Sequence, residues 1–186
     1  MSIPAHLWRA ARLTIALWLL TVVVISLPML GLAGILTSDS ANGSLLKRNG
    51  VVVGSRLIGQ QFSSRRYLNG RPSGKVILSA GNPLLAERVA QTAQAWHDSG
   101  IDQPAADLLL KSGSGVDPHI SLEAARQQLP SLARERGVSM AQLEGLVRQN
   151  QEDLRSLRSI QPVVNVLDFN LALDKLDAAS KKSRKS

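Results

Sequence analysis

Hydrophobic positions are unevenly distributed along the chain. From Leu13 to Ser38 no residue is charged, and Leu13 to Leu36 is a run of 24 apolar or small uncharged residues. As a helix this run measures about 36 Å, enough to cross a hydrocarbon core with some tilt. Val22 to Ile25 would make a poor helix in water, but in lipid every backbone group must bond within its own segment, so helix is forced. Pro28 removes the bond to the carbonyl of Val24 and predicts a kink. Leu13, Trp18, Pro28 and Leu36 mark this span.

Polar and apolar positions then alternate on a shorter scale. Residues 37–44 read as a polar linker. Leu45–Lys47 and Val51–Val53 flank Asn49-Gly50 and predict a hairpin, because both turn residues accept positive φ. The second strand is allowed to extend to Ile58. Residues 60–81 read mostly as loop, with one strand at Val76–Leu78. Asn82 and Pro83 open a helix whose apolar stripe is Leu85, Val89, Ala93 and Trp96, ended by Gly100. Ala106–Leu110 reads as a buried strand and Ser112–Pro118 as a glycine-rich loop. Ser121 caps a helix to Arg136, stopped by Gly137. Ser139 and Gln142 have capping-box spacing and begin another helix, with Leu143, Leu146 and Val147 inward. Val163–Phe169 reads as a last strand, and Asn170 as the cap of a short final helix. The expected class is an α/β (α+β) domain over residues 45–178, behind one transmembrane helix over 13–36. Residues 1–12 form a short N-terminus and 179–186 a disordered basic tail.

Charge refines the picture. The net charge is +8, from 22 basic and 14 acidic residues. Arg9 and Arg12 precede the span, and Lys181, Lys182, Arg184 and Lys185 crowd the C-terminus. These six account for most of the excess, leaving 16 basic against 14 acidic residues in the body. A nucleic-acid-binding domain carries its charge on a folded face, so no nucleic-acid partner is expected. By the positive-inside rule the N-terminus is expected in the cytoplasm and the domain outside, in a cell (inner) membrane, periplasmic in a Gram-negative cell. Cleavage near Ala33, releasing a secreted binding protein, is the alternative; the apolar run exceeds an ordinary signal peptide.

Candidate chemistry is thin. The chain has no cysteine, which excludes disulfides, thiolate catalysis and Cys-based zinc sites. Ser112-Gly113-Ser114-Gly115 follows a predicted strand and precedes a helix, the context of a phosphate nest, but it lacks the lysine of a P-loop. Asp117 and His119 have the makings of a base pair or half a metal site, with too few further ligands nearby to complete one. A hydrolase using Ser114, Asp117 or His119 remains open. Arg65, Arg66 and Arg71 form a basic loop beside Tyr67, suited to anionic lipid or an acidic partner.

Five blocks carry a resemblance. Gly54–Phe62 (GSRLIGQQF), Tyr67–Ser73 (YLNGRPS), Ser112–Ser121 (SGSGVDPHIS), the helix pattern Ala124, Ala125, Gln128, Pro130, Ala133, Arg134 and Gly137, and Val164–Asp174 (VNVLDFNLALD) stand in this order behind one span. They resemble the blocks of the KdpC family, the small third component of Kdp-type potassium-transporting P-type ATPases. This chain departs in a shortened Ser79–Pro83 segment, in Leu68 for the usual Phe, and in Leu110-Lys111 for a Thr-Ala pair. The resemblance implies a non-pumping accessory subunit, not an enzyme on its own. Its implied partners are a potassium-binding channel-like subunit, an ATP-hydrolysing P-type subunit and the lipid bilayer. It implies help in assembly and a raised ATP affinity of the hydrolysing subunit, as a catalytic chaperone. No cofactor or metal is expected on this chain alone, and ATP only together with the pump subunit. The loop Ser112, Gly113, Ser114, Gly115, Asp117, Pro118 and His119 is then the partner- or nucleotide-proximal element, with Gln60, Arg71, Pro72, Ser73, Asn165 and Asn170 as interface candidates.

Overall fold

A computed structural model describes residues 3–74, 76–152 and 161–183. Contacts divide the chain into two bodies, residues 1–45 and 46–186.

The first body is helical. α1 (Ile3–Thr21) passes through a π-turn (Val22–Ser26) into α2 (Leu27–Leu36). The Leu27 N–H bonds the carbonyl of Val22 across the π-turn. The extra residue lies just ahead of Pro28, so the backbone accommodates the missing proline donor by widening one turn. The membrane-length stretch is Ala5–Leu36, none of whose most apolar window is buried in the protein. Helix therefore begins well before Leu13. The linker is also more ordered than expected, since Ser38–Ala41 forms one turn, α3.

The second body opens with the hairpin β1 (Leu45–Arg48) and β2 (Val51–Ser55), with Asn49 and Gly50 both at positive φ as the turn requires. β2 stops at Ser55, where a turn closes through the Ile58 N–H to the Ser55 carbonyl. α4 (Pro83–His97) is capped by the Asn82 side chain, which accepts from the Leu84 N–H. α6 (Leu122–Arg136) is capped by Ser121 and ends on Gly137 at φ +65°. α7 (Met140–Gln149) carries the full Ser139/Gln142 capping box.

Three elements differ from the expectation. Ala106–Leu109 is a helical turn, α5, and not a strand. A segment this short does not distinguish the two states; Ala and Leu favour helix once Leu108 has a core to enter, and Asp107 suits the first turn. Val76–Leu78 is not a strand either. Val76 and Ile77 are exposed, and the Val76 carbonyl accepts from the Lys111 ammonium rather than from a neighbouring strand. The last strand, β5, covers only Val163–Asn165. Asn165 ends it, because its carboxamide oxygen accepts from the Leu167 and Asp168 N–H groups and starts α8 (Val166–Ser183). Asn170 is thus inside α8 and caps nothing. The same helix runs through Ala179–Ser183, expected to be a disordered tail, while 184–186 lie outside the described residues.

A three-stranded antiparallel sheet has the order β3-β5-β4, where β3 is His119–Ser121 and β4 is Gln151–Glu152. The register pairs His119 with Asn165, Ile120 with Val164, and Glu152 with Val163. The core lies between this sheet and α6, α7 and α8. It contains Leu68, Leu108, Ile120, Leu129, Leu132, Leu143, Val164, Phe169 and Leu173, all essentially inaccessible to solvent. Burying each such side chain contributes about 1.5–3 kcal/mol.

Candidate functional site

The Ser112–His119 loop is built by its own short side chains. Gly115 takes φ +73°, and its N–H closes a turn onto the Ser112 carbonyl. The Ser114 hydroxyl accepts from the Val116 N–H at 3.3 Å, and the Ser112 hydroxyl from the Asp117 N–H at 3.3 Å. The two hydroxyls also lie 3.2 Å apart. The N–H groups of Gly115, Val116 and Asp117, which a phosphate nest would direct at its anion, are therefore bonded within the loop.

Two other segments close on this loop. The Gly59 N–H donates to the Val116 carbonyl at 2.7 Å, and a Cβ on Gly59 would stand 2.6 Å from the Asp117 carbonyl oxygen. Only glycine permits that approach. From the other side, Arg71 pairs with Asp107 and lies 3.7 Å from Asp117. Gln61 donates to the Arg71 carbonyl. A cavity of about 10 Å³, room for one water, remains where Gln60, Arg71, Pro72, Ser73, Ser112 and Asp117 meet. Gln60, Arg71, Pro72 and Ser73 are thus brought against the motif loop, although the sequence separates them from it by about 40 to 50 residues.

Asn165 and Asn170 are placed differently. Both are buried. The Asn165 amide donates to the Arg56 carbonyl, and Asn170 bonds both backbone groups of Leu68. Gln128 from α6 treats Asn69 the same way, accepting from its N–H and donating to its carbonyl. Asn170 and Gln128 thus act like strands lent to the YLNGRPS segment that carries Arg71.

His119 and Asp117 form a close pair. The Asp117 carboxylate accepts from the His119 N–H at 3.0 Å and lies 3.1 Å from the ring Nδ1. The side-chain bond to His119 holds the Asp117 carboxyl below its ordinary value; partial burial opposes this, and Arg71 adds to it. The same bond raises His119 against the opposing effect of burial, with Glu152 assisting. Ser114 does not bond His119, whose ring nitrogens face Asp117 and Glu152. Among the described residues His119 and Ser114 form no nucleophile–base relay. Among the described residues no group of His, Cys, Asp or Glu is placed to hold a metal ion.

A second polar cluster gave no local sequence signal. Arg136, at the end of α6, pairs with Asp174 at 2.8 Å and Asp177 at 2.7 Å, both on α8. Its guanidinium lies 4.6 Å over the Tyr67 ring. Arg48 and Arg66 add ion pairs to Asp174 and Asp177. These partners are 38 or more residues apart, so only the fold joins them.

The span residues Leu13, Trp18 and Leu36 are all more than half exposed, and Pro28 follows the π-turn.

Comparison with known proteins covers both bodies. The family described as "KdpC: K+-transporting ATPase, c chain" matches residues 7–175. A Pectobacterium atrosepticum protein named potassium-transporting ATPase KdpC subunit is 42% identical, over 89% of this chain and 96% of that one. Two KdpC proteins of a Nostoc species, numbered 1 and 2, are 40% and 39% identical, each over 95% of this chain and 97% or more of their own length. The chain belongs to the KdpC family of K+-transporting ATPase components.

Proposed function

We propose that this chain is the non-pumping accessory subunit of a high-affinity ATP-driven potassium uptake complex. It assists assembly and raises the apparent ATP affinity of the hydrolysing subunit without hydrolysing ATP itself. Its partners are a potassium-binding channel-like subunit and an ATP-hydrolysing P-type subunit. The N-terminus is cytoplasmic and residues 46–186 are extracytoplasmic, by the positive-inside rule applied to Arg9 and Arg12.

One observation carries the contact role. The motif loop uses its polar groups internally, while the surface around it is apolar and exposed. Leu57, Ile58 and Val116 lie more than or about half exposed beside the Gly59–Val116 hydrogen bond. Val76 and Ile77 are equally exposed where Lys111 meets Val76. A closed loop ringed by apolar side chains suits a protein surface better than a free nucleotide. On this reading an outside domain changes ATP affinity through the membrane subunits, as a coupling free energy between sites.

The test is purification from native membranes in mild detergent through a C-terminal tag, with mass spectrometry of the material recovered. Stoichiometric recovery of a large polytopic subunit and a P-type subunit, with potassium-stimulated ATP hydrolysis, supports the proposal. Recovery of this chain alone overturns it.

A further inference from the structure

We infer that His119 is a proton-operated latch, fastening the motif loop to the sheet-edge strand β4 when the imidazole is charged and releasing β4 when it is neutral.

The geometry requires two donors. Nδ1 of His119 is 3.1 Å from Asp117 Oδ1, and Nε2 is 3.4 Å from Glu152 Oε2. A neutral imidazole has one N–H and one bare nitrogen lone pair. Placed between two carboxylates, the neutral ring turns that lone pair toward an anionic oxygen. Only the imidazolium donates at both ends.

His119 also joins two arms of fixed charge. On one side Asp117 lies beside Arg71, which pairs with Asp107, and Asp107 in turn accepts from the Ser121 N–H at 2.7 Å. On the other side Glu152 attracts Arg56, which pairs with Asp168 in the first turn of α8 at 2.6 Å. Signs alternate along Asp107, Arg71, Asp117, His119, Glu152, Arg56 and Asp168. Of these seven groups, His119 is the one whose ordinary pKa lies near neutrality. Among the described residues the carboxylates facing the ring are Asp117 and Glu152, with Arg71 beside Asp117 and Arg56 acting on Glu152 from its far side.

The two ends of the latch are unequal. Asp117 and His119 are also joined through the His119 backbone N–H, so the Nδ1 contact is the one the neutral ring keeps. Among the described residues β4 is two residues long, stands last in the sheet order and pairs with β5 through Gln151 and Glu152. Loss of the proton therefore frees the Glu152 side first. Raising the pH loosens β4 while the loop keeps its shape. The inference stands whether or not the partner reading above is right.

The experiment uses the full chain in lipid nanodiscs. Imidazole nitrogen NMR follows the His119 tautomer and midpoint, and hydrogen exchange is followed at the β4 amides with intrinsic rates corrected for pH. The expected result is a His119 midpoint above the ordinary value of 6.5, with β4 protection lost across the same range. In E152Q the midpoint falls and the pH dependence of β4 protection disappears. H119Q, if it folds, shows β4 protection independent of pH. A His119 midpoint at or below 6.5, or β4 protection unchanged across the His119 titration, overturns the latch.

Discussion

Asn170 holds Leu68 by both of its backbone groups: the carboxamide oxygen accepts from the Leu68 N–H at 2.8 Å, and the amide donates to the Leu68 carbonyl at 2.9 Å. The residues are 102 positions apart and both are buried. A side-chain amide here replaces a missing strand, satisfying a backbone that would otherwise enter the core unpaired. Asn170→Leu leaves two buried polar groups unsatisfied at similar side-chain volume. The expected cost is about 2–6 kcal/mol, from roughly 1–3 for each group. Urea unfolding of the full chain in detergent, followed by near-ultraviolet circular dichroism, measures it. A midpoint equal to that of the parent would show that the pair contributes nothing.

Gly59 is required by contact and not by φ. A methyl group there would meet the Asp117 carbonyl at 2.6 Å, and both sides of the contact are backbone. Gly59→Ala is expected to push the motif loop outward, at a cost of about 1–3 kcal/mol. Hydrogen exchange should speed up at Gly59 and through Val116–His119 while α6 and α7 keep their protection. Uniform exchange across the body would show that the contact is not specific to the loop.

Arg136 joins the ends of α6 and α8. Its side chain is 3% exposed, while the Asp174 and Asp177 side chains are 11% and 12% exposed. Removing the guanidinium leaves two nearly buried carboxylates with only the half-exposed Arg48 and Arg66 as partners among the described residues. Arg136→Ala is therefore expected to destabilise by about 3 kcal/mol or more. Arg136→Lys should recover only part of this, since an ammonium cannot reproduce the planar fork or the stacking on Tyr67. Thermal unfolding of the three proteins should rank them parent, Lys, Ala. A lysine variant as stable as the parent would show that charge alone suffices.

The Asp117–His119 pair sets a pH window for stability. The pKa of His119 is raised on folding, so its contribution is complete below the ordinary value of 6.5 and is lost as pH rises through the folded value. The pKa of Asp117 is lowered, so its contribution is complete above the ordinary value of 3.8 and is lost as pH falls through the folded value. The two contributions overlap between those ordinary values. The full chain should lose thermal stability on the alkaline side of 6.5, and His119→Gln should flatten that limb. A parent whose stability is level from pH 6 to 8 would contradict the sign of the His119 effect.

The apolar run to Leu36, the Asn49-Gly50 turn, the Asn82, Ser121 and Ser139 caps and the Gly137 stop were all legible from the residues. Each is a local device whose physics lies within a few positions. The family blocks were legible for the same reason, as fixed strings in fixed order. The state of Ala106–Leu109 was not legible, because so short a segment, with only Asp107 charged, becomes strand or helix according to what it packs against. The start of α8 was misplaced by five residues because two asparagines compete for the cap. Asn165 takes it, and Asn170 is drawn to the Leu68 backbone, which the sequence does not show to be near.

By itself the sequence determined the membrane-length helix, the caps of α4, α6 and α7 and the family, all properties of short windows or their order. The tertiary structure decided which charges meet. Arg71 with Asp107, Arg136 with Asp174, and His119 between Asp117 and Glu152 depend on strand pairing and helix packing between distant segments. A charge carries no local mark of its partner, because Coulomb attraction acts on distance in space and the chain's covalent order does not specify that distance.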